Sequence, residues 1–187
     1  MQFDMLATNI FFTVLHGFNI VFFSKILFNT QHKKNTVLIF SFVYGALNGL
    51  ATYLVNAYNI DYFIIKTCIA FLIAVLLLMY ILHFDLKKSI IIFGLHSIIL
   101  ILSESLMFLV FSVLNLIYLN EIINTFKDNF MSFFIGNLII YIISLLILLS
   151  VKLFKSYLKL PRDTKTIVVT VIITLFTIAA NLWFFFL

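Results

Sequence analysis

Six apolar stretches separated by short polar breaks dominate this sequence and limit what it can fold into. They cover residues 5–28, 36–57, 63–82, 90–119, 131–154 and 167–187. Each is about 20 residues or longer, enough at a 1.5 Å rise per residue to cross a hydrocarbon core of about 30 Å. None alternates with period two, which argues against a β-barrel. Of the 187 residues 64% are hydrophobic and 10% charged, and Phe alone occurs 24 times. A soluble domain of this length cannot hide so much apolar surface, and a disordered chain is excluded by the same excess. The expected fold is all-α: a polytopic membrane protein of six transmembrane helices in one bundle, read as a single domain over residues 1–187 because no linker divides the chain. Span four is long enough to tilt, and its end, residues 114–122, is a candidate interfacial segment.

The charges mark the breaks. The first holds Lys25, Lys33 and Lys34; the third Lys87, Lys88 and Asp85; the fifth Lys152, Lys155, Lys159, Arg162 and Lys165 with Asp163. The second has Asp61, and the fourth Glu121, Lys127 and Asp128. Lys and Arg collect on cytoplasmic loops, so breaks one, three and five are expected inside and the N-terminus, with Asp4, outside. The net charge of +5 then reflects a basic face beside anionic membrane lipid, with no nucleic acid partner. The N-terminus lacks the basic region and small-residue cleavage site of a signal peptide. Six spans from an outside start end outside, and Trp183-Phe-Phe-Phe-Leu187 has no polar flank, so a longer protein is expected. One Cys excludes a disulfide framework and Cys-based metal centres.

Within the spans, Glu104 is the sharpest feature. A carboxyl at mid-span is costly unless paired or facing a cavity. Ser97, Glu104 and Asn115 lie 7 and 11 residues apart and return to one helix face within about 20°, a stripe expected to face the bundle interior. Two readings stay open: a ligand, ion or coupling site, or a hydrogen-bonded Glu joining two helices. Asn9, Thr13, His16 and Asn19 form a second stripe in span one. A lone His facing other helices is usually just hydrogen-bonded, and His16 with His96 falls short of a haem bundle. No cofactor and no metal are expected. His32 and His83 lie in breaks and read as solvated. Gly45-Ala-Leu-Asn-Gly49 matches a close-approach motif, read as packing within the chain, with Asn48 inside it. Lys66 can snorkel from span three, and Cys68 reads as a packing thiol. By depth, Asn9, Asn56, Asn115, Asn137 and Asn181 fall toward the outside. Amides need partners in hydrocarbon, so they suggest a polar vestibule open to that side, unless they are simply tolerated near span ends. No phosphate-binding, zinc-peptidase or serine-hydrolase motif is present, so no catalytic residues are assigned.

The Phe/Ile/Leu/Asn/Lys-rich spans, the break Phe84-Asp-Leu-Lys-Lys-Ser-Ile90, Glu104 in span four and Leu158-Lys-Leu-Pro-Arg-Asp-Thr-Lys165 before span six together carry a family likeness. The chain resembles the N-terminal membrane region of peptide-pheromone sensor histidine kinases of the accessory gene regulator C type, the HATPase-GHKL class of Firmicutes. The resemblance implies a bacterial cytoplasmic membrane protein of a two-component, quorum-sensing system. It would bind an extracellular peptide and signal to a cytoplasmic histidine kinase module, homodimeric through regions beyond this chain. The phospho-accepting His segment and ATP lid are missing here, so autokinase activity cannot reside in these residues. On this reading Asn56, Lys66, Asn115, Asn137 and Asn181 bind the ligand, and Glu104, Ser97, His16 and Asn48 couple the signal. The alternative is the substrate-binding membrane subunit of a vitamin-type importer. That would turn the first break outside, against its lysines. A pheromone-processing peptidase, the third reading, needs a His and Cys pair at the cytoplasmic side, whereas Cys68 is expected near the outside.

Overall fold

The computed structural model describes the backbone of residues 2–57, 63–113 and 130–157. Among these residues the structure is entirely helical: α1 (Gln2–Phe28), α2 (Lys34–Ala57), α3 (Phe63–Tyr80), α4 (Leu86–Val113) and α5 (Phe130–Tyr157). Four segments, Leu6–Phe28, Lys34–Val55, Leu86–Met107 and Phe133–Leu153, are long and apolar enough to cross a membrane, and α3 contributes a shorter apolar run, Cys68–Tyr80. By length and composition these helices mark a membrane protein. Span six, 167–187, and the expected interfacial segment 114–122 lie outside the described residues.

Helix ends follow local chemistry. α1 stops where Asn29 takes up a left-handed conformation at φ 54° and its N–H donates to Lys25 C=O at 2.9 Å. That is the αL cap, which asks for Gly or Asn. Three residues past the end of α3, His83 is also left-handed, at φ 57°, and the next N–H, Phe84, reaches back to Leu78 C=O at 3.1 Å. α4 then starts at once, because Asp85 is its N-cap: Lys88 N–H donates to Asp85 Oδ1 at 2.8 Å, and Ser89 N–H donates to Asp85 C=O at 3.0 Å. The cap draws Leu86–Ser89 into the helix ahead of the apolar run at Ile90. Lys88 Nζ sits 3.0 Å from Asp85 Oδ2. The Lys88 backbone N–H first, then its side chain, hold the Asp85 carboxyl below the usual carboxylate range.

The chain divides into two compact units, Met1–Gly94 and Leu95–Leu187. In the first, α1 and α2 form a tight antiparallel pair and α3 packs on α2. The pair closes on glycines. A Cβ added to Gly17 would lie 2.8 Å from Ser41 Cα; one on Gly45 would lie 2.8 Å from Val14 N and 2.9 Å from Val14 Cα; one on Gly49 would lie 3.0 Å from Ile10 Cα. Each step forward on α1 is thus a step back on α2. Both glycines of the close-approach motif are used within the chain, against α1. The second half of α1 is buried almost all round: among residues 19–27 only Lys25 is exposed and Phe22 half-buried. Phe84 lies edge-on to His32, centroids 5.4 Å apart, and tilted against Phe28 at 6.3 Å. The turn 29–33 and the turn 81–85 therefore meet at one end of this unit. Phe71 and Phe93 pack edge-to-face at 5.8 Å, holding α3 to the start of α4.

In the second unit, α4 buries a single stripe, Leu95, His96, Ile99, Leu102, Ser103 and Met107, and leaves Ile101 and Leu106 exposed. Along α5, Ser144 and Leu148 are buried, while Met131, Ile135, Leu138, Ile142, Leu146, Leu149 and Leu153 are exposed. An apolar face of that extent suits hydrocarbon rather than water.

Candidate functional site

Polar side chains inside these helices show which groups are spent on local structure and which are not. Most hydroxyls bond the carbonyl one turn back on their own helix. Thr13 Oγ1 donates to Asn9 C=O at 2.5 Å, Ser24 Oγ to Val21 C=O at 2.7 Å, Ser103 Oγ to Ile99 C=O at 2.7 Å and Ser144 Oγ to Tyr141 C=O at 2.8 Å. This back-bonding satisfies a hydroxyl in an apolar setting without any partner helix. Asn137 does likewise, Nδ2 to Phe133 C=O at 2.8 Å.

The exception is on the α1–α2 seam. Ser41 is fully buried, its Oγ has no hydrogen-bond partner among the described residues, and it lies against Gly17. Away from that seam, α1 carries buried Thr8 and Asn19 and half-buried His16, each about 100° or more round the helix from Gly17. α2 contributes buried Tyr44, whose Oη accepts from Asn48 Nδ2 at 3.3 Å and whose ring stacks on Phe40 at 6.0 Å. The seam thus combines close backbone contact with the buried Ser41 hydroxyl in an apolar pair. That combination fixes register, because sliding one helix by a turn would separate the glycines from their seats. Ser41 was not singled out from sequence, since one Ser among apolar residues carries no periodic signal until its facing helix is known.

The residues expected to couple a signal divide between the two units. His16 and Asn48 do not share a level: the glycine register sets His16 beside residues 42–43 and Asn48 beside residues 10–11, about 8 Å apart along the axis. On α4, Ser97 is half-buried and Glu104 is exposed. The inward stripe expected from spacing is therefore corrected: α4's buried stripe runs through His96 and Ser103, and Glu104, one residue past Ser103, falls about 100° round the helix from it.

Of the expected ligand residues, Asn137 is half-buried on α5. Asn56 ends α2 and Lys66 begins α3. Both lie at the end of the first unit away from the turns that meet at Phe84, as does Asn9. The side chains of Asn56 and Lys66, and all of Asn115 and Asn181, lie outside the described residues. Cys68 is exposed, not a packing thiol. His32 is also corrected. It is half-buried rather than solvated, its Nε2 is shielded without a hydrogen-bond partner among the described residues, and burial holds its pKa below the ordinary value. His83 is exposed as expected. Among the described residues no group of three or more His, Cys, Asp or Glu comes together to hold a metal ion.

No protein-family model, curated protein or solved structure matches this chain.

Proposed function

We propose that this chain is the sensing domain of a multi-pass receptor in a bacterial cell membrane, with its N-terminus outside and residues 167–187 as its sixth span. It recognises an extracellular peptide at the end carrying Asn56 and Lys66, together with Asn115, Asn137 and Asn181. It passes the signal to a cytoplasmic histidine kinase module outside this chain. Binding favours one of two helix arrangements through differential affinity, with Glu104, Ser97, His16 and Asn48 setting the balance.

One observation carries the reading. Phe84 meets both His32 and Phe28, so the turns flanked by Lys25, Lys33, Lys34, Lys87 and Lys88 share one end, and Asn56 and Lys66 lie toward the other. A helical unit with five lysines at one end, and Lys66 toward the other, has the asymmetry of a cytoplasmic and an external face. Reporter insertions test it. A reporter active only in the cytoplasm is expected to work at residues 30–31 and 84–85, and one active only outside at residues 58–62. The reverse pattern would reject the orientation and favour the importer subunit. For signalling, Glu104→Gln and Glu104→Ala in the full-length protein are expected to shift the response to conditioned medium from the source cells. An unchanged response at normal expression removes Glu104 from the mechanism.

A further inference from the structure

The two turns at the basic end are joined by side chains, not by backbone pairing. His32 sits in the first, between the αL cap at Asn29 and the start of α2 at Lys34. Phe84 sits in the second, between the left-handed His83 and the α4 N-cap Asp85. Phe84 is 9% exposed and His32 Nε2 is out of reach of solvent. Their rings meet at 5.4 Å with planes 70° apart. An imidazole held this way tolerates a bare acceptor nitrogen at modest cost. The protonated ring is different. It would carry a shielded Nε2–H donor with no acceptor among the described residues, on a ring only half open to solvent, and that is expensive.

The surrounding charges add to that cost. The titratable and charged groups at this end of the elements that meet here are Lys25 on α1, Lys33 and Lys34 at the start of α2, Tyr80 at the end of α3, His83 and Asp85 in the second turn, and Lys87 and Lys88 on α4. Asp85 is the one carboxylic acid in this set, and Lys88 already engages it at 3.0 Å. Five lysines and one committed carboxylate leave no counter-charge for an imidazolium.

We propose that His32 is an acid-sensitive latch: its uncharged ring holds the 29–33 turn to the 81–85 turn through Phe84, and protonation releases that junction. The release frees the α1–α2 connection from the α3–α4 connection while the glycine seam keeps α1 and α2 paired. The device goes beyond the receptor reading and operates whichever side of the membrane this end faces. It makes the arrangement of these four helices responsive to the pH of the compartment that bathes it.

The test uses the whole chain in lipid nanodiscs. Backbone hydrogen exchange over residues 29–34 and 82–86, corrected for the intrinsic pH dependence of exchange, is compared between pH 7.5 and 5.5. The wild type is expected to lose several-fold protection at pH 5.5, up to the limit of about tenfold that a released-state pKa of about 6.5 sets over this range. His32→Phe keeps an aromatic contact but cannot titrate, and is expected to lose less than twofold. The His32 pKa is read by NMR in the wild type and in Phe84→Leu, where it is expected to move up toward its ordinary value as the ring becomes solvated. Equal loss of protection in wild type and His32→Phe overturns the latch. So does a wild-type pKa at or above the ordinary value, or protection that rises on acidification, which would mean that the imidazolium is held by the Phe84 ring.

Discussion

Replacing Gly45 by Ala gives the sharpest test of the α1–α2 seam. The added Cβ would lie 2.8 Å from Val14 N and 2.9 Å from Val14 Cα, with Val14 Cγ2 closer still. Carbon atoms pack best at about 3.5–4.0 Å, so the helices must part by roughly 0.6–1 Å there. Val14 can turn its side chain away, but its backbone is fixed in α1. A radial gap of about 0.5–1 Å forfeits a quarter to a half of each contact it opens. Overpacking of this kind costs about 1–3 kcal/mol. Ala gains back up to about 1 kcal/mol of helix propensity over Gly, so the expected net destabilisation is about 1–2 kcal/mol, or roughly 5- to 30-fold in the folded-to-unfolded ratio. Gly94 supplies the control, since a Cβ there meets nothing within 4 Å; Gly94→Ala keeps only the propensity gain and is expected to be neutral or slightly stabilising. Gly49→Ala should fall between, because its nearest neighbour is Ile10 Cγ1 at 2.8 Å, a movable side-chain atom. Unfolding in mixed micelles with rising dodecyl sulfate, followed by far-UV circular dichroism, ranks the three. If Gly45→Ala is as stable as the wild type, or no worse than Gly94→Ala, the close approach is wrong.

Further predictions concern the turns. Asn29→Gly should be neutral to stabilising and Asn29→Val destabilising by about 1–2 kcal/mol, because the left-handed conformation penalises a branched side chain; the same micelle titration reads both. Asp85→Ala should loosen the first turn of α4, seen as faster hydrogen exchange at residues 86–89, and Asp85→Asn should keep the cap but lose the ion pair with Lys88. The Asp85 carboxyl is held below its unfolded value. Its contribution is therefore fully present above about pH 3.9 and is lost as the pH falls through the lower folded value. Protection of residues 86–89 should drop on acidification into that range in the wild type but not in Asp85→Asn.

Much of the helical layout was legible because apolar length and charge report where a chain leaves hydrocarbon. The end of α1 at Phe28 follows from that reading, and the pairing of Gly45 and Gly49 inside the chain from their four-residue spacing. The start of α4 did not, because hydropathy places it at Ile90 whereas a hydrogen-bonded cap recruits Leu86–Ser89. Facing was harder still. α4 is apolar on nearly every side, so the polar stripe through Ser97 and Glu104 had no contrasting apolar face to show which side is buried. The burial of His32 was hidden for a related reason. A polar loop reads as solvated unless one knows that Phe84, some fifty residues later, covers it.

The enclosure of α1 bears on biogenesis. This helix leaves the ribosome before the four that follow it, yet from Asn19 to Leu27 it offers lipid almost nothing, and it carries Asn19 and Ser24 on surfaces that the finished protein seals. A segment of that kind partitions more favourably once α2 has emerged to cover Gly17 and its neighbours. Insertion is then best pictured as release of a ready-made α1–α2 hairpin, onto which α3 packs afterwards.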